Sequence, residues 1–175
     1  MSIQIELSDH DLKYFHDTLD KARNTAALET ESIILGKATQ LLDEIENREK
    51  FPEFVATRFK YLHTLIEMLE DKDWSLPDEE KIQVLNALAY FVDSYDLIPD
   101  DIPGIGYLDD AIMIEMVVSE LSKEFKHYCE FQHYVELEKK VHPDSHPNRE
   151  EWEEHNRVSM FQRMRNRRGT TGSIL

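Results

Sequence analysis

The sequence has one cysteine, five glycines and six prolines among 175 residues. Since Cys129 is the single cysteine, an intrachain disulfide is excluded, which fits a reducing compartment. So few glycines and prolines leave little material for the many tight turns of an all-β fold. No apolar run approaches the roughly 18 residues that a membrane span needs, and the first residues lack the basic and apolar regions of a signal peptide. The sequence therefore predicts a soluble, cytoplasmic protein.

Signatures of several enzyme classes are missing as well. There is no Gly-x-Ser-x-Gly nucleophile motif and no glycine-rich phosphate loop of the Walker or dinucleotide type. Cys129 is expected to be a buried, inert thiol rather than a nucleophile. These absences favour a protein that is not an enzyme, and they leave metal-dependent chemistry open.

Basic residues are scarce over most of the chain, which carries a net charge of −16. Positions 1–156 hold all 36 acidic residues against 15 of the 20 basic ones, whereas the last 19 residues carry five arginines and no acid. A body this acidic repels nucleic acid and anionic lipid, so no nucleic-acid partner is expected for it. Its charge suits either solubility alone or the docking of a basic protein partner.

Apolar residues recur at helical spacing through most of the chain, and no segment alternates with the period of a strand. Ser8 with Asp11, and Asn148 with Glu151, have the spacing of helix capping boxes. Gly36 inside the second helix suggests a close contact with another helix there. The predicted helices span about 9–23, 28–48, 52–71, 77–94, 107–127 and 148–165. The helical pattern of the fifth continues to residue 140, either unbroken or with a kink near Cys129.

The fourth and fifth predicted helices are the most apolar. From Ile82 to Val92 the fourth helix is apolar on nearly every face, which is typical of a helix in the middle of a bundle. The sequence thus predicts an all-α bundle of six or seven helices around a central helix–loop–helix hairpin. The loop is predicted to be built on Pro99, Pro103, Gly104 and Gly106. The predicted domain organisation is an acidic helical domain over 1–142 with the hairpin at about 77–127, a linker and C-terminal helix over 143–165, and a disordered basic tail over 166–175.

Residues 90–111 read YFVDSYDLIPDDIPGIGYLDDA. The run DLIPDDIPGIGYLDD between two apolar helices resembles the hallmark of the YkvA-like family of domains of unknown function. Tyr95 stands where the family usually has proline. Many relatives have helices apolar enough for membrane association, against which Glu115 and Glu120 argue in this chain. The resemblance implies a helical hairpin module and implies no reaction.

Four aspartates of this stretch are candidate ligands for Mg²⁺ or Ca²⁺, which prefer carboxylate and carbonyl oxygens. They are Asp96, Asp100, Asp109 and Asp110. If they converged, each pair about 5 Å apart would repel by roughly 3 kcal/mol at an effective dielectric near 20, so a cation or shifted pKa values would be needed. The simpler interpretation is that Asp96 and Asp100 cap the turns that follow them. Asp109 and Asp110 then lie in the first turn of the fifth helix, where negative charge is favourable.

The C-terminal segment is both basic and apolar. Its members are Met160, Phe161, Met164, Arg163, Arg165, Arg167 and Arg168. Such a segment suits contact with an anionic membrane or nucleic acid, or with the acidic body of the chain itself.

The leading hypothesis is therefore a non-enzymatic interaction module that binds an unidentified protein partner through its acidic helical surface or its basic tail. A divalent-metal protein, or a metal-dependent hydrolase that uses the four aspartates, is the first alternative. Peripheral membrane association through the basic C-terminal segment is the second.

Overall fold

The structure, a computed structural model, describes residues 6–26, 30–46, 52–92 and 107–169. Within these ranges the chain forms seven α-helices and no strand, which confirms the predicted all-α class. The predicted loop with Pro99, Pro103, Gly104 and Gly106 lies outside the described residues. The helices are α1 (Asp9–Ala26), α2 (Glu31–Glu46), α3 (Glu53–Glu70), α4 (Asp78–Leu88), α5 (Leu108–Glu120), α6 (Ser122–Val141) and α7 (Arg149–Gly169), and a 3-10 helix, Ala89–Val92, follows α4.

Both predicted capping boxes are present. At the start of α1 the Asp11 amide donates to Ser8 Oγ at 3.3 Å, and the Ser8 amide donates to Asp11 Oδ2 at 2.9 Å. At the start of α7 the Glu151 amide donates to Asn148 Oδ1 at 3.1 Å, and the Asn148 amide donates to Glu151 Oε2 at 3.3 Å. Each box satisfies backbone donors that a helix start leaves without an intrahelical acceptor.

The chain between α5 and α6 departs from the helix at Leu121, not near Cys129. Leu121 has φ −93° and ψ 19°, outside the helical region. Its amide still donates to the Val117 carbonyl at 3.0 Å, and its carbonyl accepts from the Phe125 amide at 2.9 Å. The helical hydrogen bonds therefore continue across the break, which is confined to Leu121.

Contacts between Cα atoms divide the chain into two compact units, residues 1–70 with 76–125 and residues 71–75 with 126–175. In the first unit α5 packs against α3, and both α1 and α2 contact the 3-10 helix. The centre of this unit is therefore formed by the end of the fourth helical segment and by α5, as predicted, although Ile82 near the start of α4 is 57% exposed. Its largest fully buried side chains are Leu19, Val55, Leu62, Leu65, Met68, Leu88, Tyr107, Met113 and Ile114.

Two glutamates of α5 lie at the edge of this core and are held by arginines of other helices. Glu115 Oε2 accepts from Arg58 Nε on α3 at 2.8 Å, and Glu120 pairs with Arg23 on α1. These two charges on α5 therefore face arginines at the rim of the unit, while most of the apolar side chains of α5 are buried.

Gly36 does not mark a close helix contact, so that prediction is wrong. The residue is exposed, and a Cβ added to it would meet no atom of the described residues within 4 Å. Glycine in a helix interior loses more backbone entropy on folding than alanine does and gains nothing from packing here.

Gly36→Ala is therefore expected to raise the free energy of unfolding by about 0.5–1 kcal/mol, since alanine restricts the unfolded chain and fits the open space. Urea denaturation followed by far-ultraviolet circular dichroism measures the change. Lys37→Ala, at the exposed neighbouring position, is the control and should shift stability by less than about 0.5 kcal/mol. A loss of stability in Gly36→Ala would show that the side of α2 at residue 36 is covered.

Candidate functional site

Asp109 and Asp110 lie in the first turn of α5, as predicted, and both are buried. Asp109 is 1% exposed and Asp110 is 7% exposed. Consecutive residues of a helix point about 100° apart, so the two carboxylates leave α5 in different directions. Aspartate is rarely this buried unless its charge is compensated, because removing a carboxylate from water costs several kcal/mol. Two buried carboxylates in succession are therefore an unusual feature of the start of α5.

Tyr107, just before α5, adopts a left-handed backbone conformation with φ 65° and ψ 11°. Such a conformation costs a non-glycine residue on the order of 1 kcal/mol. The ring is buried, and it packs edge-to-face on Phe59 with 5.9 Å between the ring centroids, which offsets the cost. The strained residue thus fixes the first turn of α5, and with it Asp109 and Asp110, against α3.

The other two predicted ligands, Asp96 and Asp100, lie outside the described residues. The structure therefore describes only two of the four aspartates and does not test whether they form a cluster. Among the residues that the structure describes, no three or more histidine, cysteine, aspartate or glutamate side chains come together as a metal site. The cation site therefore stays a prediction that depends on the loop as well as on α5.

The second unit contains an aromatic cluster that holds the start of α7. Trp74 is fully buried, and its ring centroid lies 5.1 Å from that of Phe131 and 5.5 Å from those of Tyr128 and Trp152. The guanidinium of Arg149, the first residue of α7, lies 4.4 Å from the centre of the Trp74 ring. Aromatic pairs in these geometries contribute about 0.5–1.5 kcal/mol each beyond their burial, so the first turns of α7 are firmly anchored.

Asp71 organises the loop that presents Trp74. Its Oδ1 accepts from the backbone amides of Asp73 at 2.8 Å and Trp74 at 3.1 Å. Its Oδ2 accepts from the Tyr128 hydroxyl at 3.1 Å and from Gln132 Nε2 at 2.8 Å. One carboxylate therefore orders the Asp71–Ser75 loop through two hydrogen bonds and ties it to α6 through two more.

Beyond this anchor, the outer segment of α7, residues 153–165, is exposed. Every described side chain of the outer segment is exposed except half-buried Ser159. Its large apolar side chains are Val158 at 45%, Met160 at 54%, Phe161 at 60% and Met164 at 46% exposure. At 3.6 residues per turn these four occupy an arc of about 160°, roughly opposite Trp152. The helix is thus fixed by one side near its start and presents an apolar arc on the other.

The arginines of the predicted basic segment lie on the same helix. Arg163 and Arg165 are exposed, and Arg163 Nε donates to the Ser159 carbonyl at 3.3 Å. Arg167 and Arg168 belong to α7, which continues past the predicted helix end at Arg165 to Gly169. The last predicted helix is therefore longer than its sequence pattern indicated.

Cys129 is exposed, so the expectation that it is buried is wrong. Partial burial of its sulfur nevertheless raises the pKa of the thiol, and the neighbouring Glu130 adds to this effect. A thiol with a raised pKa is protonated at neutral pH and is a poor nucleophile. Its environment is therefore that of an unreactive cysteine.

The fold and these features define an all-helical protein with buried aspartates at the start of the largely apolar helix α5. Residues 80–116 match the family described as "Protein of unknown function (DUF1232)". The chain is also 30% identical over 104 residues, 55% of this chain and 90% of the relative, to the "Uncharacterized membrane protein YkvA" of Bacillus subtilis (strain 168). The chain belongs to this YkvA-like family of unknown function, which confirms the resemblance. No solved structure matches the chain.

None of the helices in the described part of the chain is long and apolar enough to cross a membrane. The relative is named a membrane protein, and the solubility and cytoplasmic location of this chain stay predictions.

Sequence reasoning missed the anchor of α7. Trp74 and Trp152 are far apart in the sequence, and Asp71 lies 57 positions from the hydroxyl it binds on Tyr128. The one local signal was the position of Asp71, which lies two residues before Asp73 and three before Trp74. An aspartate that accepts hydrogen bonds from amides at these distances is typical of a turn.

Asp71→Ala is expected to lower the free energy of unfolding of the second unit by about 1–3 kcal/mol, because four donors lose their acceptor and two of these hydrogen bonds are partly buried. Both tryptophans of the chain, Trp74 and Trp152, lie in this unit, so tryptophan fluorescence during urea denaturation reports on it alone. Asp73→Ala, which removes an exposed acid from the same loop, is the control and should change stability by less than about 0.5 kcal/mol. Equal stabilities for the two variants would contradict the role given to Asp71.

Proposed function

We propose that this protein is a non-enzymatic interaction module that binds its partner through the outer segment of α7. The observation that carries the proposal is the exposure of four large apolar side chains on one arc of this anchored helix. Scattered exposed apolar residues are normal on a protein surface, whereas four large ones gathered on one side of a helix, with charged residues between them, favour an interaction site.

The energetics of an isolated helix support the same proposal. A helix of about 12–15 residues without tertiary packing is marginal in water, and most helical stability in proteins comes from burying an apolar face. The outer segment keeps its face exposed in the chain alone. A partner that covers Phe161 and Met164 would provide the missing burial and stabilise the helix.

The name of the bacterial relative adds one class of partner. That protein is called a membrane protein, so a membrane surface joins an acidic protein surface among the partners to be considered for α7. The acidic residues of positions 1–156 offer a further surface, which would attract basic protein segments.

Photo-crosslinking in cells tests the proposal without assuming a partner. Replacing Phe161 with p-benzoylphenylalanine keeps an aromatic ring at the site and should give a defined covalent adduct on illumination. The same replacement of Ile82, an exposed position on α4, is the control and should give little or none. The proposal fails if position 161 gives no more adduct than position 82.

A second candidate, a divalent-cation site, is favoured by the burial of Asp109 and Asp110. A cation would offset two negative charges that are held away from water, and carboxylates are the ligands that Mg²⁺ and Ca²⁺ prefer. Asp96 and Asp100 on the preceding loop would supply further oxygens.

Titration with Mg²⁺, Ca²⁺ and Mn²⁺ while the thermal midpoint is followed tests this candidate. Ion at one hundred times its dissociation constant should stabilise the folded protein by about 2.7 kcal/mol. Asp109→Asn should abolish the effect, whereas Asp78→Asn, which changes an exposed acid in the first turn of α4, should leave it unchanged. Midpoints that do not respond to millimolar ion would end this candidate.

A further inference from the structure

We infer that the surface bound by the outer segment of α7 is an anionic phospholipid membrane, an inference that rests on the proposed function of this helix. Three properties of the segment lead to it: its charge, the mixing of arginine with apolar residues on one arc, and its lack of acids toward the C-terminus.

The charge of α7 is of one sign from residue 155 onward, whereas Glu153 and Glu154 at the start of the outer segment are acidic. After Glu154 the chain has no acidic residue and carries five arginines. Arg157 pairs with Glu154, while Arg163 and Arg165 extend into solvent. Arginines close to a membrane attract anionic headgroups, and the attraction falls off within a Debye length. Zwitterionic lipid provides no such attraction, so the inference specifies an anionic surface.

The position of the arginines distinguishes a membrane from an apolar groove on a protein. On the helical wheel Arg157 lies between Met164 and Phe161, and Arg165 lies between Phe161 and Val158. A groove that covered this arc would bury guanidinium groups together with the apolar side chains, which is costly unless acids are placed opposite each one. At a membrane interface the arginine stems lie along apolar surface while their charged ends reach the headgroups. The interface therefore accepts the arc from Arg157 onward without a shaped site, while Glu153 and Glu154 lie one turn nearer the anchor.

The geometry of the anchor suits a helix that lies on such a surface. Trp152 points into the aromatic cluster of the second unit, and the apolar arc points away from it. The helix is therefore held by one side and free to insert Phe161 and Met164 from the other. Because positions 1–156 are strongly acidic and are repelled by the same lipids, the attachment is reversible and sensitive to salt.

Co-sedimentation of the full chain with vesicles tests the inference. The chain should sediment with vesicles of phosphatidylcholine mixed with phosphatidylglycerol, and should stay in solution with phosphatidylcholine alone. Raising the salt from about 0.1 M to about 1 M shortens the Debye length from roughly 10 Å to roughly 3 Å and should release it. Circular dichroism on each variant confirms that it remains folded.

Variants assign the binding to α7. Arg157→Gln with Arg165→Gln, the two arginines on the arc, should weaken vesicle affinity by about 30-fold, and Phe161→Ser by about tenfold. The matched controls are Lys126→Gln with Lys139→Gln, exposed lysines of α6, and Ile82→Ser, whose exposure is close to that of Phe161; neither should weaken it. Binding that does not depend on anionic lipid, or that the α7 variants leave unchanged, overturns the inference.

The lipid inference and the interaction module fail in different ways. If the benzophenone at position 161 yields a protein adduct in cells and vesicles are not bound, the partner is a protein; the inference is then wrong and the module stands. If neither vesicles nor position 161 gives a signal, both are wrong. Lipid adducts at position 161 together with anionic-vesicle binding support both.

Discussion

The removal of apolar side chains from water is the constraint on which this structure depends. In the first unit it is satisfied, since Leu62 on α3 and Met113 on α5 are fully buried. Burying a side chain of this size contributes roughly 1.5–3 kcal/mol. The outer segment of α7 is the exception, because Phe161 and Met160 remain more than half exposed. The apolar side chains of the outer segment therefore stay exposed to water until a partner covers them.

The first turn of α7 is fixed from two sides, which explains how an exposed helix can follow it. The capping box of Asn148 and Glu151 provides acceptors for backbone amides at the start of α7, and Trp152 packs against Trp74. Helix formation has a costly nucleus and cheaper extension, so a fixed first turn lowers the cost of every residue that follows. The outer segment is thus largely ordered before it meets a partner, which reduces the entropy lost on binding.

Local chemistry could be predicted from the sequence, and contacts between distant segments could not. The two capping boxes depend on residues three apart, and the structure has both. The helical class followed from apolar spacing, and the family from a short run of the hairpin. The prediction of a close contact at Gly36 was wrong. A glycine inside a helix suggests such a contact, but the packing of the other helices decides whether a neighbour is present. The break at Leu121 carries no proline or glycine, so no local signal marked it.

The candidate site could likewise be predicted from the sequence only in part. The first-turn position of Asp109 and Asp110 could be predicted from the sequence, whereas their burial depends on how α5 packs against α3. The basic apolar pattern of the C-terminus could also be predicted. Its anchoring could not, because Asp71 and Trp74 belong to a loop far away in the sequence.

The two candidate functions also separate along the chain. Residues 80–116, which define the family match, contain the buried aspartates and end before α7 begins at residue 149. A role for Asp109 and Asp110 would therefore belong to the region of the family match, and docking through α7 would belong to a region outside it. Exposed apolar surface is costly, so the outer segment of α7 retains an unfavourable feature that folding alone does not require.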